Sequence, residues 1–320
     1  MSLLDLSSEL AIGIDIGGTN TKYGLVNHRG EILAQGDIPT DRSPDVHEFI
    51  NDLYDALSPI ITESKAKIRG IGVGAPNGNY YTGTIEYAPN LPWKGIIPLA
   101  KLIGEKFDVN CTLTNDANAA AVGEMMYGAA RGMKDFIMIT LGTGVGSGIV
   151  ANGHLIYGHD GFAGELGHTI IRHGGRLHWS TGAEGSLEAY CSATGITLTA
   201  KELRLKHKDS LLNNYKEEEI NSKIVYECAE QGDEAAKETF RFTGQILGEA
   251  LANFIMFSSP EAIILFGGVI KAGDYILKPT REHMEKNLLP IFRDKVGLVF
   301  SELKEADAAI LGASALAWES

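Results

Sequence analysis

The chain is poor in cysteine. Its 320 residues hold three, Cys111, Cys191 and Cys228, far apart and with no CxxC pair. That excludes a disulfide framework and fits a reducing compartment. Positive charge is also scarce. Lys plus Arg number 28 against 41 Asp plus Glu, a formal net charge of −13. A surface this acidic disfavours nucleic acid and anionic membrane, although local backbone amides can still hold a small anion. No run of about 18 apolar residues occurs, and Met1 to Leu10 has neither a basic region nor a long apolar core. A soluble cytoplasmic protein without an export signal is expected. No low-complexity linker divides the chain. No GxxxxGK[ST] loop is present, and no GxGxxG joins a strand to a helix, so neither a Walker nucleotide site nor a dinucleotide fold is expected.

Ordinary globular composition remains: 44% hydrophobic and 22% charged, long enough for two domains. Glycine is plentiful at 38, and it is clustered. The chain is organised around Thr114 to Glu124. Val109 to Leu113 reads as a strand, and a run of strong helix formers, Ala117 to Met126, follows. Asn115 and Asp116 therefore stand at a strand-to-helix switch, where open α/β sheets bind ligands. The plainer role for Asp116 is a helix N-cap, which Asp and Asn favour.

Upstream, residues 11–16 read as a buried strand carrying one acid, Asp15. Gly17-Gly18-Thr19 is a tight turn, and residues 21–26 and 31–37 are returning strands. Val46, Phe49, Ile50, Leu53, Tyr54 and Leu57 have helical spacing, with Pro59 expected to bend or end the helix. Residues 68–73 are strand, 80–95 loop and 97–106 helix. Downstream, residues 135–140 are strand, and Gly142 to Gly148 is a second Gly-rich turn. A strand to Ala151 and a hairpin tip at Asn152-Gly153 follow, so the strand, Gly turn, strand unit occurs twice as a weak architectural repeat. Residues 158–188 read as irregular, 187–201 as helix and 234–257 as a long helix. Residues 261–266 form a strand before a third turn, Gly267-Gly268. Helices over 278–288 and 306–318 flank a strand at 297–300. The expected domains are 1–125 plus 305–320, the smaller, and 126–304, the larger, with the last helix packing back on the first half.

Three Gly-rich turns, each after a buried strand, suit backbone approach to phosphate. One such turn is weak evidence, because hairpins use Gly anyway. Asp15 is costly to bury unless it is paired or lies near a metal. In a phosphate site it would sit beside Mg²⁺ through water, since Mg²⁺ keeps part of its hydration shell.

Asp15-Ile16-Gly17-Gly18-Thr19-Asn20-Thr21-Lys22 resembles the first phosphate motif of the sugar kinase, Hsp70 and actin superfamily. Leu141 to Gly148 resembles its second phosphate motif, and Leu265-Phe266-Gly267-Gly268-Val269 its adenosine motif. Gly164-Glu165-Leu166-Gly167-His168 is similar to the ExGH motif of the ROK family (repressors, open reading frames and sugar kinases). The resemblance covers nearly the whole chain in the family's order. It implies an α/β, two-domain ribonuclease H-like (actin-like ATPase) fold with a cleft between the domains. It also implies ATP-dependent phosphorylation of a hexose at its 6-hydroxyl, in carbohydrate metabolism and glycolysis. Asp116 looks like the general base, and Asn115, Asp116, Glu165, His168 and Glu188 like sugar ligands. Asp15, Gly17, Gly18, Thr19, Asn20, Lys22, Thr143, Gly144, Gly267 and Gly268 look like the ATP site. A helix first-turn acid for Glu188 and a satisfied loop histidine for His168 are the plainer alternatives.

Many ROK members follow the ExGH histidine with a C-x-C-G-x-x-G-C cluster that binds zinc together with it. Here Gly182 and Gly185 keep that frame, while Trp179, Thr181 and Ser186 replace the cysteines. His168, His173 and His178 remain as scattered imidazoles. No structural zinc is expected, and the loop is expected to be held by hydrogen bonds and Trp179 packing. Ala88-Pro89-Asn90-Leu91 resembles the loop of the family's glucokinases, which favours glucose. N-acetylmannosamine, N-acetylglucosamine and fructose are the alternatives. A sugar-responsive transcriptional regulator of the ROK type is the rival from another class. Such repressors carry an N-terminal helix-turn-helix, whereas only Met1 to Leu10 precedes the first strand here. The expected cofactors are ATP and Mg²⁺. The expected partners are a small sugar and ATP, with no nucleic acid and no membrane, and the expected assembly is a homodimer.

Overall fold

The computed structural model describes residues 9–304 and 307–319. The N-terminal reading therefore falls mostly outside the described residues, as does the expected helix start at Ala306. The described chain forms two compact units. One comprises the described residues of 1–133, 148–164 and 301–320, the other 134–147 and 165–300. Residues 148–164 thus join the first unit, whereas the sequence pattern assigned 126–304 as one block.

In the first unit, β1 (Glu9–Ile16), β2 (Asn20–Val26) and β3 (Ile32–Pro39) form an antiparallel meander. After α1 (Val46–Ser64), β4 (Lys67–Gly74) pairs parallel with β1. The stretch read as loop contains one short strand, β6 (Thr84–Glu86), and is flanked by two more, β5 (Gly78–Asn79) and β7 (Ile96–Ile97); the three form a small sheet of their own. Next come α2 (Leu99–Phe107), β8 (Cys111–Thr114), parallel to β4, and α3 (Asp116–Tyr127). The main sheet has the order β3-β2-β1-β4-β8.

Pro59 lies inside α1, which runs on to Ser64 instead of ending. The proline removes one backbone N–H, which frees the Asp55 carbonyl. Both residues are exposed, so solvent can satisfy it.

The second sheet has the order β11-β10-β9-β12-β13. Its strands are β9 (Phe136–Leu141), β10 (Val145–Ala151), β11 (His154–Leu155), β12 (Ala262–Phe266) and β13 (Gly297–Phe300). β12 runs parallel to both β9 and β13. Both sheets therefore place a Gly-turn hairpin on one side of their first strand and parallel strands on the other. The repeat read from the sequence is real at the level of topology. Between β11 and β12 lie α4 (Glu188–Cys191), α5 (Ala193–Arg204), α6 (Ser222–Glu230) and α7 (Glu234–Ser258). The single helix expected over 187–201 is broken at Ser192, whose extended backbone and side chain cap α5 at the Gly195 N–H. The sequence pattern assigns no element to α6. It forms because Asn221 caps it and Val225, Cys228 and Ala229 are buried. α8 (Asp274–Asn287) and α9 (Ala308–Glu319) complete the chain.

The core of the first unit is built by Ile12, Ile14, Phe49, Leu53, Leu57, Ile71 and Val73, among others. α9 lies against the same sheet, so close that a Cβ at Gly13 or Gly72 would run into the carbonyls of Ile310 or Ala313. Glycine at those two sheet positions is what lets the last helix return to the first half.

Candidate active site

The site residues read from the sequence fall into one group on each unit. In the first unit the parallel strands set the frame. Asp15 lies opposite Gly74, and Gly74 opposite Thr114, so the ends of β1, β4 and β8 are in register. The chain then turns into α3. Asn115, with extended backbone, is the N-cap; its side chain accepts the Asn118 N–H at 2.7 Å. Asp116 is the first helical residue, and its carboxylate accepts the N–H of Ala117 at 2.8 Å. The cap expected of Asp116 therefore belongs to Asn115. That leaves Asp116 free of a structural duty its neighbour performs better.

Asp116 is reachable by solvent at its surface yet crowded by protein atoms. Burial raises its pKa, with backbone N–H donors only partly offsetting the rise. A Cβ placed on Gly74 would lie 3.6 Å from Asp116 Cα and 3.9 Å from Asp15 Oδ1. Asp15 is pushed from the ordinary 3.8 to about 6, first by burial and then by the charge of Asp116, against the pull of Lys22. Lys22 is its cross-strand partner on β2. Two carboxylates with raised pKa, crowded together, form a donor set of hard oxygens that a divalent cation such as Mg²⁺ fits.

The Gly17-Gly18-Thr19 turn closes through the Gly17 N–H to the Asn20 carbonyl at 3.0 Å. Close approach, not backbone sign, demands its glycines. A Cβ at Gly17 would lie 2.9 Å from the Asn20 oxygen, and one at Gly18 2.8 Å from the Asn90 oxygen. Thr19, Asn20 and Lys22 are exposed.

In the second unit the turn between β9 and β10 is shorter than expected, because β10 already begins at Val145. Its closure is the Gly142 N–H to the Gly144 carbonyl at 3.0 Å. Thr143 is exposed at the tip. Gly144 has no room for a side chain, since a Cβ would lie 2.5 Å from Glu188 Oε2. Gly267, at the end of β12, has φ +107°, which only glycine adopts readily. At Gly268 a Cβ would meet open space, so nothing in the protein itself requires glycine there.

A single 3-10 turn over Leu166–His168 brings Glu165 and His168 together, with Oε2 and Nε2 3.9 Å apart and both side chains about half exposed. Glu188 has partners within the protein that the sequence did not show. Its Oε2 accepts the Val145 N–H at 2.7 Å, and its Oε1 lies 2.6 Å from His178 Nε2. Each oxygen thus has one partner inside the protein, and Glu188 braces the turn between β9 and β10. The sequence reading used His178 only as a stray imidazole. The structure buries it and stacks Trp179 on its ring at 4.2 Å.

His168, His178 and Glu188 place one potential ligand atom each within 4.8 Å of one another; His173 is not in this group. The donor set nevertheless does not fit zinc. His178 Nδ1 accepts the N–H groups of Ser180 and Thr181 at 3.3 and 3.2 Å, so the proton of the neutral ring sits on Nε2 and is donated to Glu188. Neither ring nitrogen offers a lone pair to a metal, and no thiolate stands at 179, 181 or 186.

Among the described residues no helix is long and apolar enough to cross a membrane. The chain matches the ROK family model over residues 11–320. It is 38% identical to a glucokinase of Halalkalibacterium halodurans, covering 96% of this chain and 94% of that one. It is 29% identical to a xylose repressor of Bacillus spizizenii, covering 100% of this chain and 79% of that one. Among solved structures it superposes with TM-score 0.79, at 31% identity, on a ROK family glucokinase from Streptomyces griseus in complex with glucose and AMPPNP. That match covers 97% of this chain and 100% of the other. The α/β architecture is that of the ROK glucokinases, the two-domain actin-like ATPase fold. With its Gly-rich turns, its acid pair and its ExGH motif in the family's order, the chain belongs to the ROK family.

Proposed function

We propose that this protein is an ATP-dependent sugar kinase that transfers the γ-phosphoryl group of ATP to the 6-hydroxyl of a hexose, with glucose as the substrate. The observation that carries the reading is Asp116: a carboxylate with raised pKa, at the ends of parallel strands and beside a second acid. A sugar hydroxyl is a weak nucleophile at neutral pH. A carboxylate within hydrogen-bond reach takes its proton as attack proceeds, and a raised pKa makes it a stronger base. The similarity to a glucokinase at 38% identity supports glucose as the acceptor.

Asn115 offers its amide nitrogen, the end its cap does not use, to a sugar hydroxyl. Glu165 and His168, half exposed on one turn, supply an acceptor and a group that can donate or accept. The turns at 17–19 and 142–144 present backbone N–H groups to phosphate, with Thr19, Asn20, Lys22 and Thr143 beside them. Gly267 and Gly268 leave the main chain open to the adenosine. Mg²⁺, when bound with ATP, neutralises phosphate charge, and Asp15 would hold it through water. We place the enzyme in the cytoplasm as a homodimer. The xylose repressor relative raises the alternative of a sugar-responsive regulator. The net charge of −13 favours the kinase.

The test is a coupled assay with ATP and Mg²⁺ over glucose, fructose, N-acetylglucosamine and N-acetylmannosamine. The expected result is the highest kcat/KM with glucose. Turnover with none of the four would sink the kinase reading, and a clear preference for an amino sugar would replace the substrate.

A further inference from the structure

The loop that carries zinc ligands in many relatives has lost every cysteine here, yet it is not slack. His178 is fully buried at its side chain and links two structures that the sequence keeps apart. Its Nδ1 gathers the Ser180 and Thr181 N–H groups and so fixes the turn of the loop itself. A second loop contact supports this, the His178 N–H to the Ala183 carbonyl at 2.8 Å. The two backbone donors force the remaining ring proton onto Nε2, which donates to Glu188 Oε1. Glu188 then holds the Val145 N–H with its other oxygen and packs against Gly144. A chain of hydrogen bonds thus runs from the 178–183 loop, through one imidazole and one carboxylate, into the main chain of the 142–145 turn.

We propose that His178 is a positioning residue for the nucleotide-phosphate turn, a metal-free replacement for the missing cysteine cluster. It acts through Glu188. The Gly142 and Val145 N–H groups are taken by the turn's closure and by Glu188, which leaves the N–H groups of Thr143 and Gly144 between them, at the tip, as the ones the proposal aims at phosphate. Their direction depends on how firmly the residues on either side are held. Losing the Nε2 donor frees Glu188 to swing, and the turn then meets the phosphates with the wrong N–H geometry. The effect belongs in nucleotide affinity rather than in the proton-transfer step. The proposal rests on the assignment of the 142–144 turn to ATP.

Two variants separate the two nitrogens. His178→Asn keeps an acceptor near the Nδ1 position but has no donor that reaches Glu188. His178→Gln places an amide N–H near the Nε2 position. Direct titration with a non-hydrolysable ATP analogue, together with KM and kcat for ATP and for the sugar, reads the outcome, with circular dichroism to confirm folding. His178→Asn should weaken nucleotide binding by about 10-fold or more, the scale of losing a hydrogen bond to a charged partner. His178→Gln should recover part of the nucleotide affinity. Nucleotide affinity unchanged in folded His178→Asn overturns the proposal, and so does His178→Gln binding nucleotide no better than His178→Asn. Stoichiometric zinc in the wild type that the Asn variant lacks also overturns it. If the wild type binds no nucleotide at all, the assignment of the turn has failed instead.

Discussion

Asp15 and Asp116 flank Gly74, one at the end of β1 and the other at the start of α3, and the charge of Asp116 helps to raise the pKa of Asp15. The pairing has an energetic cost in the folded chain, and such a cost persists where function needs it. The neighbour Asn115 carries the helix cap, so the proposed chemistry of Asp116 and the capping fall to adjacent residues.

That division makes a double prediction. Asp116→Asn should lower kcat with the best sugar by roughly 10²-fold or more, the usual scale for losing a general base. It should leave the melting temperature unchanged or higher, because a crowded charge is removed and the cap is intact. Asn115→Ala should destabilise the fold by about 1 kcal/mol through the lost cap. Near-normal turnover in Asp116→Asn would move the base elsewhere, with Glu165 the next candidate.

Asp15 should make stability depend on pH in a defined direction. Its folded pKa, about 6, lies above the ordinary 3.8. Between those values the folded state binds more protons than the unfolded one, so stability falls as pH rises and the loss is complete above about 6. Asp15→Asn should therefore stabilise the protein at pH 7.5 by up to about 3 kcal/mol and by nothing near pH 3. Thermal melts of both proteins across that range check it. A variant less stable than wild type at pH 7.5 would mean that the attraction of Lys22 outweighs burial.

Zinc should be absent from purified protein. Elemental analysis should find far less than one zinc per chain. Activity should survive exhaustive treatment with a zinc-selective chelator in the presence of Mg²⁺. One tightly held zinc per chain would contradict the proton placement on His178.

The glycines of the turns that we assign to the nucleotide should separate by cause. Gly144→Ala drives a Cβ to 2.5 Å from Glu188 Oε2, so it should lower the melting temperature as well as weaken ATP binding. Gly268→Ala meets nothing within 4 Å and should keep wild-type stability while raising the KM for ATP. If both are neutral in ATP KM, neither turn approaches the nucleotide.

Much of the molecule was legible in one dimension. Strand and helix periods marked most elements because burial imposes them. The Gly turns were visible because close backbone approach excludes every side chain at Gly17, Gly18 and Gly144. The order of motifs carried the family. What failed were local signals read without their surroundings. Pro59 read as a bend or an end, and the helix does not end there because its face of α1 is exposed. The helix over 187–201 looked continuous, but Ser192 caps a new one within it.

The sequence by itself determined the residue types available for chemistry and the strands and turns that carry them, because those depend on local spacing and backbone sterics. Only the tertiary structure decided their duties. Asp116 and Asn115 are chemically near-equivalent caps until the backbone turns at one of them. Glu188 reads as a sugar ligand or a helix first-turn acid, and only the fold shows Val145 and His178, 43 and 10 residues away, each bonded to one of its oxygens. Hydrogen bonds between residues so far apart leave no periodicity in the chain, and they exist only once folding has brought the partners within 3 Å.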